Sequence, residues 1–235
     1  MSKELSNLTN HIDFLHIGKC AGNQIDNLLS QISNMRDFTF THNWHDVKLR
    51  HIALGNPYFF SIRNPITRFF SGFYSRKRKG RPKFDVPWSN HDAKAFAFFP
   101  HANDIAESLF ESDFSGKMAR YAVNSIDHLR NHQIEWFEDR GYFLDLQPPV
   151  WIIRVEYFEH DFNNLLRALD IGIEIKDLDV SNDPIQIHKN DYGDSIPLST
   201  KAIQNLEHWY LRDFYFYDSC EDWLTHRESY LDPSN

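Results

Sequence analysis

The stretch Ile12-Asp13-Phe14-Leu15-His16-Ile17-Gly18-Lys19-Cys20-Ala21-Gly22-Asn23 decides the fold. A short apolar run, Ile12 to Ile17, enters a loop of small residues around Lys19. Beyond the loop, Ile25, Leu28, Leu29 and Ile32 recur at i, i+3, i+4 and i+7, which marks one face of a helix. The segment therefore reads as strand, tight loop, helix. Further along, Asp37 to Thr41 is a second candidate strand, running into His42-Asn43-Trp44-His45. Tyr58 to Ile62 is a third, closed by Arg63-Asn64-Pro65. Pro65 suits the first turn of a helix, and Phe69, Phe70 and Phe73 give that helix an apolar face. Strands alternating with helices predict βαβ units around a mostly parallel sheet.

From Asn90 to Asp139 the pattern is helical, with Ala93, Ala97, Ile105, Leu109, Leu129, Ile134 and Phe137 at helical spacings. After Pro148-Pro149, Val150 to Val155 reads as a fourth buried strand. Phe158, Phe162, Leu165, Leu166 and Leu169 then predict a helix. Ser181 to Pro197 is loop-like, and Leu198 to Tyr217 predicts one closing amphipathic helix. The expectation is a single α/β domain over residues 1–235, with three layers and a central mostly parallel sheet. It carries a polar tail at 1–10 and a helical insertion at about 76–139 that would serve the acceptor.

The bulk properties agree. A chain of 235 residues is long enough for one α/β domain with its own core. Hydrophobic residues at 41% and charged residues at 25% exclude disorder as the dominant state. A formal charge of −8 argues against general affinity for duplex nucleic acid, so no nucleic-acid partner is expected. Two cysteines, Cys20 and Cys220, offer neither a disulfide scaffold nor a Cys-rich zinc site. No run approaches 18 apolar residues, so no transmembrane segment is expected. Met1 to Asn10 is polar and lacks the plan of a secretory signal, which makes the cytoplasm the expected compartment. The oligomeric state is left open.

A strand, a small-residue loop and a helix make an anion site, because loop and first-turn N–H groups converge and the helix dipole favours negative charge. Lys19 adds a full positive charge there. Read by themselves, Gly18 and Gly22 could equally shape a plain turn with Lys19 in solvent. The full nucleotide-triphosphate signature G-x-x-x-x-G-K-[ST] is absent, since Cys20 follows the lysine.

Two strings together carry a resemblance. Phe14-Leu15-His16-Ile17-Gly18-Lys19-Cys20-Ala21-Gly22 resembles the 5′-phosphosulfate loop of sulfotransferases that use 3′-phosphoadenosine 5′-phosphosulfate (PAPS). Phe59 to Tyr74, containing Arg63 and Ser71, is similar to their 3′-phosphate-binding segment. Val150 to Ile171, His188-Lys189-Asn190 and Asp213-Phe214 look like the carbohydrate-type and bacterial branch. About two thirds of the chain is covered; residues 76–139 are not. The resemblance implies a P-loop-like fold, PAPS as co-substrate, no metal, and an acceptor hydroxyl on a carbohydrate, which could be an anionic glycan. It assigns Gly18, Lys19, Cys20, Ala21, Gly22, Asn23 and Gln24 to the phosphosulfate, with Arg63, Ser71 and Lys189 completing the cofactor set. Cys20, Asn23 and Gln24 stand where the family usually carries Thr or Ser, and Asn64 replaces a usual Asp. The rivals are a nucleotide kinase of related fold and a non-catalytic polyanion- or nucleotide-binding module.

By the same resemblance, Lys19 stabilises charge growing on the bridging oxygen, and Arg63 offers a planar fork to the 3′-phosphate. An acceptor hydroxyl needs a base, and His42 and His45 follow the second strand at the sheet edge where ligands bind; His42 is the expected base, with His45 second. Either could instead satisfy loop backbone groups. Glu156, Asp46 and His188 are weaker candidates, and His128 and His132 lack a third ligand for zinc. Cys20 reads as inert packing or, beside Lys19, as a thiol with thiolate character. Arg76 to Lys83 holds six positive charges and no acid, and reads either as a solvated segment or as an electropositive rim for anions.

Overall fold

A computed structural model describes residues 10–137, 142–180, 192–193 and 195–231. In chain order its elements are β1 (His11–Leu15), α1 (Gly22–Met35), β2 (Thr39–Asn43), β3 (Tyr58–Ile62), α2 (Pro65–Lys77), α3 (Asn90–Phe98), α4 (Ala102–Ser108), α5 (Phe114–Ser125) and α6 (Asp127–Arg130). They continue with α7 (Phe143–Leu146), β4 (Ile152–Arg154), α8 (Phe158–Ala168), α9 (Thr200–Trp209) and α10 (Leu211–Leu231). Among the described residues the strands form one sheet in the order β2-β1-β3-β4, with every pair parallel. The fold is α/β, a parallel sheet flanked by helices.

The contacts gather into two compact units. The first comprises 1–63, 133–182 and 216–235; the second comprises 64–132 and 183–215. The helical stretch expected at about 76–139 falls mostly in the second unit, which starts earlier, at Asn64.

The first unit is built on the sheet. β1 and β3 are buried almost throughout, as parallel strands covered on both faces must be. Phe14 stacks on Phe59 with ring centroids 4.9 Å apart. Phe60, Phe137, Phe143 and Phe216 form a second aromatic group, with Phe137 and Phe143 at 4.2 Å. Fully burying one such ring contributes about 1.5–3 kcal/mol, so these clusters explain why so many Phe residues suit the chain. The sheet order reverses at β1: the chain goes to β2 on one side and returns to β3 on the other. Ligands of open parallel sheets bind beyond the carboxyl ends at such a point.

The second unit has its own core of Phe69, Phe73, Phe96, Ile105, Leu129, Leu206 and Tyr210. Asn64 caps α2, its side chain accepting from the N–H groups of Ile66 (3.0 Å) and Thr67 (3.4 Å) with Pro65 at the first helical position. The amide thus does the capping that an Asp would do. The single helix expected over Leu198 to Tyr217 is instead two. Tyr210 interrupts it, 2% exposed, its hydroxyl donating to the Leu129 carbonyl at 2.7 Å. Burying that ring and satisfying its hydroxyl outweighs helix continuity.

The basic run is woven into the second unit. Arg76 donates to the carbonyls of Val86 (2.9 Å) and Pro87 (2.7 Å) and to buried Asp92 at 2.6 Å. Arg78 donates to the Arg81 carbonyl, Arg81 pairs with Asp85, and Lys79 lies over Trp88. The run closes α2 and fastens the following loop to Ser89, the cap of α3. Burial tends to raise the Asp92 carboxyl, but hydrogen bonds from Arg76 and Ser89 outweigh it and hold the group below its ordinary 3.8. Removing one partner of a buried pair strands the other charge, so Arg76→Ala should cost about 3 kcal/mol in chemical denaturation, while Lys83→Ala should cost almost nothing. Because the folded carboxyl is the more acidic, its contribution is present above the unfolded value and is lost as pH falls through the folded one. A flat acid limb in wild type, or equal losses in both variants, would contradict this.

Candidate functional site

Three ends of parallel strands meet the reversal of sheet order in the first unit: the loop after β1, the end of β2, and Arg63 after β3. The loop is held at Cys20. Its N–H donates to the Ile17 carbonyl (3.3 Å), its carbonyl accepts from Ser61 Oγ (2.6 Å), and its thiol donates to Gln133 Oε1 (3.3 Å). With Cys20 so tied, the residues on either side, Lys19 (φ 71°) and Ala21 (φ 62°), take the left-handed conformation. That costs about 1–2 kcal/mol for each non-glycine residue and persists only where the surroundings over-determine it. Cys20 is fully buried, so it is packing and an anchor, not a solvent-facing thiolate.

Gln133 is a second organiser. The same Oε1 accepts from the Arg63 N–H at 3.0 Å, and its Nε2 donates to the Arg63 carbonyl at 2.8 Å. One fully buried amide therefore fixes both the loop and the end of β3. The Arg63 guanidinium reaches to 3.5 Å from the Lys19 carbonyl, so the two motif residues of this unit lie side by side. Sequence reasoning missed Gln133, which lies 70 positions from Arg63 in a stretch whose local pattern reads only as helix.

α1 starts directly from this loop. It has neither a side-chain cap nor an acidic residue in its first turn. Its first-turn N–H groups and dipole are thus not neutralised by a carboxylate of that turn, which suits an oxyanion of phosphate or sulfate. Gly22 is required for another reason. A Cβ there would lie 1.9 Å from His16 Nε2, so only glycine lets the histidine ring pack against the start of the helix.

That ring belongs to a cluster. β2 extends to Asn43, so His42 is on the strand, opposite Phe14, not after it as expected. His42 Nδ1 is 2.8 Å from Asp26 Oδ1 on α1, and His42 Nε2 is 2.8 Å from His16 Nδ1. Trp44, 58% exposed, stacks on the His42 ring at 4.5 Å. His45 is exposed, with its ring 4.3 Å from that of His16, and its Nδ1 is 3.2 Å from the His16 carbonyl. A carbonyl can only accept, so His45 donates to it from Nδ1. His42 has both ring nitrogens engaged by side chains. Asp26 and His16 were not singled out in the sequence.

The other expected residues fall elsewhere. Gly18, Asn23 and Gln24 belong to the loop and first turn of the first unit, with Gln24 N–H donating to the Ala21 carbonyl at 3.0 Å. Ser71 is on α2 in the second unit and is 3% exposed. Lys189 and His188 lie outside the described residues. Glu156 accepts from Tyr217 Oη at 3.4 Å. At the end of β4, Arg154 forms a two-pronged bond to buried Asp161, and both prongs are 2.8 Å long. It also faces Glu221 and Glu228, so its charge is consumed by the fold and raised in pKa by Asp161. His132 faces buried Asp213 at 3.7 Å in the second unit.

Comparisons of this chain with family models, with curated proteins and with solved structures give no match. No helix among the described residues is long and apolar enough to cross a membrane.

Proposed function

We propose that this chain is a PAPS-dependent sulfotransferase of P-loop-like fold, moving a sulfuryl group to an acceptor hydroxyl on a carbohydrate. The observation that carries the reading is the loop at the sheet reversal, clamped at Cys20, with Lys19 and the Arg63 guanidinium side by side at the uncapped start of α1. The donor set fits a nucleotide carrying two anionic groups: loop N–H groups and Lys19 for the 5′ side, a planar guanidinium for the 3′-phosphate. The assignments of Ser71 and Lys189 come from the motifs alone.

In this reading Lys19 offsets charge growing on the leaving oxygen, a role suited to a compact ammonium. His45, exposed past the carboxyl end of β2, takes the acceptor proton, with His42 next in line. A kinase would ask the residue after the lysine for a magnesium-binding hydroxyl, and the Cys20 thiol is turned instead to Gln133.

Calorimetry tests the cofactor choice. Adenosine 3′,5′-bisphosphate should bind far more tightly than AMP or ATP–magnesium. A charge-assisted hydrogen bond contributes roughly 1.5–3 kcal/mol, so Arg63→Ala should weaken the bisphosphate about 10- to 100-fold and leave AMP almost unaffected. Equal affinity for AMP and the bisphosphate would remove the main support, and tighter binding of ATP–magnesium would favour the kinase.

A further inference from the structure

Residues 76–88, in the second unit, hold six cations and one acid, and the fold uses those cations unequally. All three arginine side chains are turned to the protein: Arg76 to Val86, Pro87 and Asp92, Arg78 to the Arg81 carbonyl, and Arg81 to Asp85. The three lysines lie beside aromatic rings instead. The Nζ of Lys77 is 6.0 Å from the Tyr74 ring centre, that of Lys79 5.3 Å from Trp88, and that of Lys83 5.7 Å from Phe84. Lys77 also donates to the Pro100 carbonyl.

The loop is held in shape. The Gly80 N–H donates to the Ser75 carbonyl (2.9 Å), the Phe84 N–H to the Gly80 carbonyl (3.0 Å) and the Val86 N–H to the Lys79 carbonyl (2.8 Å). Trp88 Nε1 donates to the Arg76 carbonyl at 3.1 Å, and its ring packs 5.0 Å from that of buried Phe96. On this pinned backbone Phe84 is 46% exposed and Val86 54%. Single exposed apolar residues are ordinary. Here two of them share a short, ordered loop with Lys79 and Lys83.

We propose that this loop is a membrane-docking surface, where Phe84 and Val86 enter the headgroup region of an anionic bilayer while Lys79 and Lys83 meet its negative charge. The inference rests neither on sulfuryl transfer nor on anion binding at the Lys19 loop. Charge complementarity names the partner. The chain stands at −8 although this run contributes six cations, so a negative surface attracts the loop and repels the remainder. A lysine is a point charge that needs no fixed geometry, and its stem can lie along apolar surface while the ammonium stays in water. Nucleic acid or a sulfated glycan would call on arginine forks, which the fold already occupies, and would gain nothing from Phe84 and Val86. A bilayer interface takes both the charge and the apolar side chains.

Vesicle co-sedimentation of the whole chain tests this. It should bind phosphatidylcholine vesicles containing about one third phosphatidylserine, and not phosphatidylcholine alone. Raising salt from about 0.1 M to about 0.5 M should weaken binding at least about 10-fold, because the screening length contracts. Lys79→Gln with Lys83→Gln should weaken it about 25-fold, and Phe84→Ser with Val86→Ser about 10-fold. The second pair changes only half-exposed side chains, so its unfolding midpoint should match wild type. Asp85→Asn removes the loop's one acid and should strengthen binding about 5-fold, a gain that no folding defect produces. Equal binding to both vesicle types, binding to neither, or an unchanged vesicle affinity in Phe84→Ser with Val86→Ser overturns the proposal. Capture by heparin without binding to vesicles also overturns it, and makes the loop a polyanion site.

Discussion

Turnover of a His45→Ala variant is expected to fall by about 10²–10⁴-fold, the range that general-base assistance supplies. The expectation follows from exposure and position. His45 donates from Nδ1 to the His16 carbonyl at 3.2 Å, which fixes its ring, and the residue is exposed past the carboxyl end of β2. His42 must break a bond to Asp26 or His16 before it can accept a substrate proton. A base acts only when neutral, so the wild-type rate should fall in acid as His45 protonates, and that limb should vanish in His45→Ala. Affinity for the bisphosphate should change little, since the base contacts the acceptor hydroxyl. His42→Ala should have a smaller effect, through loss of the ring on which Trp44 stacks. Near-normal turnover of His45→Ala with an unchanged acid limb would return the role to His42.

Lys19→Ala should slow transfer by about 10²–10³-fold, comparable to removing one preorganised donor from a developing oxyanion. Bisphosphate affinity should fall less, by about 10-fold, because loop N–H groups and Arg63 continue to hold the product. The comparison is clean because residue 19 adopts φ 71°. Alanine and lysine bear the same left-handed penalty, so the backbone contribution cancels and the ammonium is what changes. Lys19→Gly would confound the two by relieving that conformation. A Lys19→Ala enzyme that loses affinity and rate equally would make the lysine a ground-state contact only. One that keeps full turnover would remove it from the chemistry.

The α/β class, the sequence of strand, loop and helix around Lys19, and the start of α2 at Pro65 were legible in the residues, because each depends on neighbours within a few positions. Apolar spacing at Ile25, Leu28, Leu29 and Ile32 declares a helical face whatever surrounds it, and all but a few edges of the strands fall where apolar runs meet Gly, Pro or polar clusters. The break at Tyr210 was not legible, since Leu198 to Tyr217 keeps a helical pattern and only a buried hydroxyl with a carbonyl 81 residues away interrupts it. The same holds for the site. Gly18, Lys19 and Arg63 stand out by type and position, but Gln133 meets Arg63 across 70 residues and Asp26 reads as the polar face of an amphipathic helix. His16 and His42 become partners because parallel pairing sets Phe14 opposite His42, bringing the carboxyl ends of β1 and β2 together. Residue types and local periodicity therefore determined the α/β class and the placing of Lys19 in the loop between β1 and α1. Strand register and long-range packing decided which histidines meet each other and Asp26, because a side chain's hydrogen-bond partners are set by what it meets in space.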